Sequence, residues 1–446
     1  MAAQHPAHAS RSKAGGIVIA ACLLAAVAGI VAAVGLAGVP DAEPTASANV
    51  TTASGSPTAA PTATGSTNGG DFPAQPPPIP PMPTVTFTVV AAGDVLTHEP
   101  VLNSARSGNG YDFGPLFAPS SPFVKAGDIA LCHLEVPIAP KGTAPSGYPM
   151  FGAPVSLVGD LADAGWDGCS TASNHSVDRR FAGIETTLDA FQKVGLGSAG
   201  TARSAKEAAT VQFYNVVEGN RTVKVAHIAY AYGLNGLPKP AGKPWAVNVF
   251  DASSADVTPI LDAAADAREA GADVVIASTH CCVEYTTQPT STQVSIVSQI
   301  AESGLVDLYI GHHAHVPQPI RKVDGGPGGN GMWAAYGLGN FISNQALENV
   351  GVAESSSGLV ATATFTVSPD DEVSVDMGWT AVTVDRAGGH VVYPISKDTG
   401  AVGKLSAKTV KARWQLVANA VGDEPTEVTS PGEPLADYMW SNQRVK

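Results

Sequence analysis

Seven of the eleven histidines fall in five short polar stretches that also carry carboxylates or amides. The stretches hold Asp94 and His98; His133 and Glu135; Asn174, His175 and Asp178; His280 and Glu284; and His312, His313 and His315. Imidazole nitrogen and carboxylate oxygen together suit Zn, Mn, Fe or Ni, and a mixed set with open positions fits two-metal hydrolysis better than a closed structural site. The chain has five cysteines and no C-x-x-C pair, so a cysteine-rich zinc site is not expected. A lone histidine at a strand end is ordinarily a hydrogen-bonded loop residue. Seven of them at successive strand ends weaken that explanation.

These stretches need elements that bring them together. The segment TVTFTVVAAGD, from Thr84, reads as a buried strand stopping at Gly93-Asp94. DIALCHLE, GWDGCSTASNH, VKVAHIAYAY, ADVVIASTH, VDLYIGHHAH and WAAYGLGNF read as further strands, each ending in polar residues. Apolar periodicity predicts helices over 155–164, 184–194, 256–270 and 292–303. Strands alternating with helices make an α/β domain, and in such sheets binding groups collect at the carboxyl ends of the strands. After Asn349 the pattern changes to strands without helices (359–367, 373–384, 390–395), then a helix near 407–421 and a polar tail.

The rest of the chain is of another kind. Residues 14–39 are uncharged and rich in Ala, Val, Ile and Leu, with Arg11 and Lys13 before them. That is long enough to span a bilayer, and the basic flank places residues 1–13 in the cytoplasm and the remainder outside. A cleaved signal segment, with secretion of the rest, is the alternative. Ile19-Ala20-Ala21-Cys22 has the look of a lipoprotein box, but the residues after it stay apolar, which argues against lipidation. Residues 40–83 are Pro, Thr, Ser, Ala and Gly-rich and read as a disordered spacer. Residues 84–395 form the domain and 396–446 the C-terminal helix and tail. The net charge of −14 (25 basic, 39 acidic residues) excludes a protein built to coat nucleic acid.

The order AAGDVLTH, HLEVP, SNHSVD, HCCVEY, GHHAHV and GLGNF resembles the CapA family of capsule and poly-γ-glutamate synthesis proteins, within the calcineurin-like metallophosphoesterase superfamily. The resemblance covers Val85 to about Phe341, with the strands to Ile395 as its continuation. It implies a four-layer α/β/β/α sandwich holding two divalent metal ions (Mn, Fe, Zn or Ni). Asp94 resembles the first metal carboxylate, and Glu135 stands where many relatives have a bridging Asp. Asn174 is similar to the amide ligand, and His280, His313 and His315 to the histidine ligands. His175 resembles the general acid or phosphate-contacting residue, with Asp178 orienting its imidazole. Glu284, Tyr285 and Asn340 are implied as supporting or substrate-facing groups.

Three departures stand out. The usual Asp-x-His is here Asp94-x-x-x-His98, which leaves open whether His98 reaches a metal. Cys281-Cys282 replaces a common Trp-Gly, and Arg180 replaces a common Gly, bringing a cation near the site. Cys132 and Cys169 read as small buried thiols, with a disulfide permitted outside the cytoplasm; Cys281 and Cys282 are not expected as metal ligands.

Two functions follow as expectations. One is a metal-dependent phosphoesterase at the cell surface. The other is an accessory protein, partnered by membrane polymer-synthase subunits, that synthesises, exports or anchors an anionic polymer such as poly-γ-glutamate. A surface protein with a degenerate site is the third reading, against which the intact ligand set argues. An anionic substrate would have to be drawn by the metals and by Arg179, Arg180 and Arg321, because the domain as a whole is acidic.

Overall fold

Strand Val85–Val95 is buried along its whole length except at Thr86. Its residues alternate between two cores. Val85, Phe87, Val89 and Ala91 face the apolar layer between the two large sheets, and Val90 and Ala92 face a second layer outside the first sheet. A strand covered on both faces has no solvent side, which is why its sequence reads as a near-continuous apolar run.

The computed structural model describes residues 82–434 and 441–445. The expected anchor at 14–39, and all of the spacer but its last residues, lie outside that range. Among the described residues no helix is long and apolar enough to cross a membrane.

The first sheet runs in the order Val391–Ile395, Val373–Asp385, Ser357–Val367, Val85–Val95, Ile129–Leu134, Gly168–Ser170 and Gly197–Ala199. Asn340–Ile342 pairs with Val85–Val95 and Thr426–Glu427 with Val373–Asp385. The half from Val85 to Ala199 is parallel, and the strands after Ser357 add antiparallel. The second sheet runs Ile320–Val323, Met332–Ala335, Leu308–His312, Val274–His280, Arg221–Ala231, Val211–Glu218 and Ser441–Val445, with its centre parallel. Val223, Val225, Val274, Ile276, Leu308 and Ile310 of the second sheet share the apolar layer with Phe87 and Phe365 of the first.

Helices cover the outer faces. Ser156–Ala164 buries Leu157, Val158 and Leu161 against the first sheet. Thr258–Glu269 buries Ile260, Ala264 and Ala267 against the second, as Ser291–Glu302 buries Ile296, Val297 and Ile300. The i, i+3/i+4, i+7 spacing of those residues gives each helix one apolar stripe. Thr290 caps Ser291–Glu302 by accepting from the Gln293 N–H, and left-handed Gly165 and Gly195 end Ser156–Ala164 and Arg180–Val194. The helix Ala407–Val421 forms where periodicity places it, and its Val410, Val417 and Val421 enter the apolar layer shared by both sheets. Residues past Ile395 thus contribute to the core as well as to the chain end.

Two expectations change. WAAYGLGNF reads as one strand, yet Met332–Ala335 belongs to the second sheet and Asn340–Ile342 to the first, so this run steps from sheet to sheet. Left-handed Gly339 makes the step (φ +66°). The crossing fits only because Gly93 has no side chain: a Cβ there would overlap the Gly339 carbonyl, which is backbone and cannot rotate away. Gly93→Ala is therefore expected to destabilise the domain by about 3 kcal/mol or more, measured by denaturant unfolding. The second change concerns the cysteines. Parallel register sets Cys132 directly opposite Cys169, Cα atoms 4.4 Å apart, and the pair is a disulfide, as is Cys281–Cys282. Thiols on neighbouring strands face each other only when the register coincides, which periodicity does not reveal.

Candidate metal centre

Register builds the centre. In the first sheet Asp94 lies level with His133 on one side and Asn340 on the other. In the second sheet His280 lies level with His312. The two rows occupy the carboxyl ends of their strands, and the loops leaving those ends add Glu135, Asn174, His175, His313 and His315. All of these side chains are buried, Asp94 and His133 completely.

The distances describe one connected cluster. His315 Nδ1 donates to Asp94 Oδ2 at 2.9 Å, and His312 Nδ1 stands 3.6 Å from Asp94 Oδ1. Glu135 Oε1 is 3.8 Å from His315 Nε2 and 4.0 Å from His280 Nε2. His280 Nε2 donates to Asn174 Oδ1 at 3.0 Å, and its Nδ1 is 2.9 Å from His133 Nε2. His133 Nδ1 meets Ser170 Oγ at 2.7 Å. Three overlapping groups can each converge on a cation: Asp94, His133 and His312; Asp94, Glu135 and His315; and Glu284, His313 and His315.

The unsatisfied atoms test whether cations fit. Both Glu135 carboxylate oxygens, Asp94 Oδ1, His312 Nδ1 and His313 Nδ1 are buried and accept or donate no hydrogen bond among the described residues. Buried polar atoms are normally paired, and a carboxylate left bare in a dry site costs several kcal/mol. Five such orphaned atoms, all on residues of the three overlapping groups, are carboxylate and imidazole donors of the kind that bind divalent cations. The residues fit divalent cations.

Electrostatics agree. Burial pushes the Asp94 carboxyl up, but contacts with His312 and His315 and the nearby imidazole charge outweigh it and hold Asp94 well below the usual carboxylate range. Burial pushes Glu135 well up; the His315 charge opposes this and Asp94 and Glu284 reinforce it. Burial and neighbouring imidazoles keep His133 and His280 well below the normal histidine value and lower His313 to about 3. Neutral imidazole is the form that ligates a metal. His315 goes the other way, to about 9, because Glu135 and Asp94 outweigh its burial.

The remaining residues singled out in the sequence take distinct places. His175 Nδ1 donates to Asp178 Oδ2 at 2.7 Å, and Asp178 also accepts from the Phe151 N–H at 2.8 Å, so the carboxylate positions both the imidazole and the loop beside it. The Phe151 ring meets His175 edge-on at 4.7 Å. His98 stands apart from the three ligand groups, edge-on to Phe151, its Nδ1 3.4 Å from the Asn344 N–H. Glu284 is exposed, 3.9 Å from His315. Tyr285 lies over His315 and accepts from Gln345 Nε2 at 2.9 Å. Asn340 Nδ2 donates to the His315 carbonyl at 3.1 Å, bracing that ligand loop from the first sheet. Arg179 clasps the loop before it through the Phe151 and Ala144 carbonyls, whereas Arg180 is exposed in a left-handed conformation (φ +56°).

His133 and His312 join the centre without having been singled out as ligands. Their signal was present in the sequence, since both end a strand. His133, however, precedes the Leu-Glu motif, and His312 precedes the His-x-His pair. His313 is buried at φ +81°, which glycine tolerates better than alanine. His313→Gly is expected to lower bound metal by about one equivalent per chain with a stability loss of no more than about 2 kcal/mol. Elemental analysis beside a thermal melt checks both, and unchanged metal content would remove His313 from the ligand set.

The profile of the bacterial capsule synthesis protein PGA_cap matches residues 88–345. The PGA biosynthesis protein CapA of Bacillus subtilis (strain 168) is 28% identical over 187 residues, 42% of this chain and 44% of that protein, so the match spans less than half the length of that relative. Among solved structures, the calcineurin-like phosphoesterase YfkN from Bacillus subtilis aligns over 75% of this chain and 97% of its own, at 14% identity and a TM-score of 0.38. The profile match takes in more than half of the chain and the strand ends that carry Asp94, Glu135, Asn174, His280 and His315, and on that ground the chain belongs to the bacterial capsule synthesis protein family PGA_cap.

Proposed function

We propose that this protein handles an anionic polymer of the capsule type, such as poly-γ-glutamate, in its synthesis, export or anchoring, through a dinuclear metal centre that also cleaves phosphate esters. The observation that carries this reading is the pair of bare, buried Glu135 oxygens among converging imidazoles. Such a carboxylate is unstable alone and becomes an asset with cations beside it. The two facing sheets with helices outside suit the four-layer metallophosphoesterase arrangement. The apolar segment 14–39 favours an anchored protein whose domain lies outside the membrane, beside polymer-synthase subunits.

Asp94, Glu135, Asn174, His133, His280, His312, His313 and His315 would hold the cations. Bound there, divalent cations would supply positive charge against the ester or carboxylate oxygens and make a water molecule acidic enough to attack near neutral pH. The other roles fall to the chain itself. Asp178 accepts a hydrogen bond from the Nδ1–H of His175 and so fixes which nitrogen faces outward. Nε2 is then the atom from which a protonated His175 would give its proton to a leaving oxygen. Phe151, edge-on at 4.7 Å, packs against the imidazole and holds it in place.

A cell-surface phosphatase or phosphodiesterase unrelated to capsule is the second reading, favoured by the His175–Asp178 pair, which polymer binding alone does not require. One experiment separates the two. The full chain is assayed for metal content, for hydrolysis of a phosphodiester and a phosphomonoester, and for binding of poly-γ-glutamate, with and without chelator. Chelator-sensitive polymer binding supports the first reading. Chelator-sensitive hydrolysis without polymer binding supports the second, and absence of metal removes both.

A further inference from the structure

Tyr285 has a backbone conformation that large side chains seldom take. Its φ is +61°, and its N–H donates at 2.8 Å to the carbonyl of Ala314, which lies between His313 and His315, themselves left-handed. That bond stitches the loop leaving Val274–His280 onto the turn that carries two of the ligand histidines. Residues held in this region are found where the surrounding structure fixes a side chain, as in ligand clamps and active sites. Tyr285 is half-buried, its ring 5.8 Å from that of His315 and its neighbour Glu284 one of the three groups of the outermost cation-converging set.

A chain of amides fixes the direction of the bond at its hydroxyl. Asn340 Nδ2 donates to the backbone carbonyls of His315 at 3.1 Å and Ser355 at 2.9 Å, partners that only accept, so this atom is the nitrogen. It also reaches Gln345 Oε1 at 2.9 Å, which turns Gln345 Nε2 toward Tyr285. An amide nitrogen only donates, and the Tyr285 oxygen therefore accepts, at 2.9 Å. The hydroxyl's own proton is left over, and no acceptor takes it among the described residues. Burial first, then the charges of Glu284 and Glu135, push the phenol well above its usual value, so the group stays a donor. That Glu135 acts on it also sets the hydroxyl beside the centre.

We propose that Tyr285 is a further catalytic residue, whose hydroxyl donates a hydrogen bond to a non-bridging oxygen of a phosphate ester held at the metal centre, with Gln345 as the positioning residue that turns its proton that way. The inference rests on the phosphate-ester part of the reading above. A donor fixed in advance by the protein stabilises the charge that gathers on those oxygens without having to reorganise during the reaction.

The test uses full-length, metal-loaded protein with inorganic phosphate as the probe, its affinity read by calorimetry, beside hydrolysis of a phosphodiester. Tyr285→Phe, which keeps the ring against His315 and removes only the hydroxyl, is expected to weaken phosphate about tenfold, with metal content and melting temperature unchanged. Gln345→Leu leaves Asn340 its two carbonyl acceptors. It is expected to weaken phosphate about threefold, and to have no effect in the Tyr285→Phe background, because its part is played through the hydroxyl. Unchanged affinity in Tyr285→Phe would overturn the assignment, and wild-type hydrolysis would then keep the phosphoesterase reading standing without it. The tenfold loss in a protein whose wild type hydrolyses nothing would uphold the assignment and remove that reading. Failure of the wild type to bind phosphate would overturn the assignment, as would a Gln345→Leu effect equal in both backgrounds. A loss in Tyr285→Phe accompanied by lost metal or a lowered melting temperature would mark a structural role and overturn it too.

Discussion

Replacing Glu135 by glutamine should make the metal-free protein more stable and nearly abolish its metal. The carboxylate is 1% exposed, and neither oxygen accepts a hydrogen bond among the described residues. Without cations it is a buried charge compensated only by His315, 3.8 Å away. Burial raises its pKa well above the ordinary value of 4.5, so the folded state prefers the protonated form. The sign of the pH effect follows. Below about pH 4.5 both folded and unfolded chains are protonated and there is no penalty; as pH rises the unfolded chain ionises freely while the folded one resists, and stability falls. The glutamine variant escapes this loss. In chelator it should be more stable by about 2 kcal/mol near pH 7, a rise of a few degrees in melting temperature, with the gap closing toward pH 4.5. Metal affinity should fall by at least about tenfold, since a neutral amide replaces a charged ligand. Melts across pH 4.5–8 with chelator, beside metal analysis, decide it. A variant that keeps its metal, or an apoprotein no more stable at any pH, would show that Glu135 is not held in reserve for a cation.

His175→Ala should have the opposite signature, with metal retained and turnover lost. The imidazole lies outside the three cation-converging groups and is bonded instead to Asp178. A positioned general acid contributes about 10²–10⁴-fold to rate, so hydrolysis of an ester with a poor leaving group should fall by that factor while metal content stays at the wild-type level. An ester whose leaving group needs no proton should lose much less, which separates proton donation from simple disturbance of the site. Asp178→Asn is a harsher change, because Asp178 also holds the Phe151 N–H. Loss of metal on removing His175 would make it a ligand rather than a proton donor, and an unchanged rate would leave the His175–Asp178 pair without a catalytic part.

Much of this protein is legible in one dimension. Elements made by local periodicity emerge at or within a few residues of where alternation and helical spacing place them: Val85–Val95, Val274–His280, Ser156–Ala164 and Ala407–Val421. The polar strand ends are legible for the same reason, since a carboxylate or histidine after a β-branched run breaks the pattern. What periodicity does not encode is which strand lies beside which. Alignment of Cys132 with Cys169, of Asp94 with His133 and Asn340, and of His280 with His312 depends on parallel register, a property of pairs of strands distant in sequence. The step of the chain from Met332–Ala335 in one sheet to Asn340–Ile342 in the other depends on Gly93, more than 200 residues earlier, having no side chain to block it. The sequence by itself determined the α/β character, the inventory of metal-seeking side chains and the His175–Asp178 pair. Only the tertiary structure decided that His133 and His312 join the centre while His98 stands aside beside Asn344, because membership in a buried cluster is settled by packing two sheets face to face, not by the spacing of residues along either one.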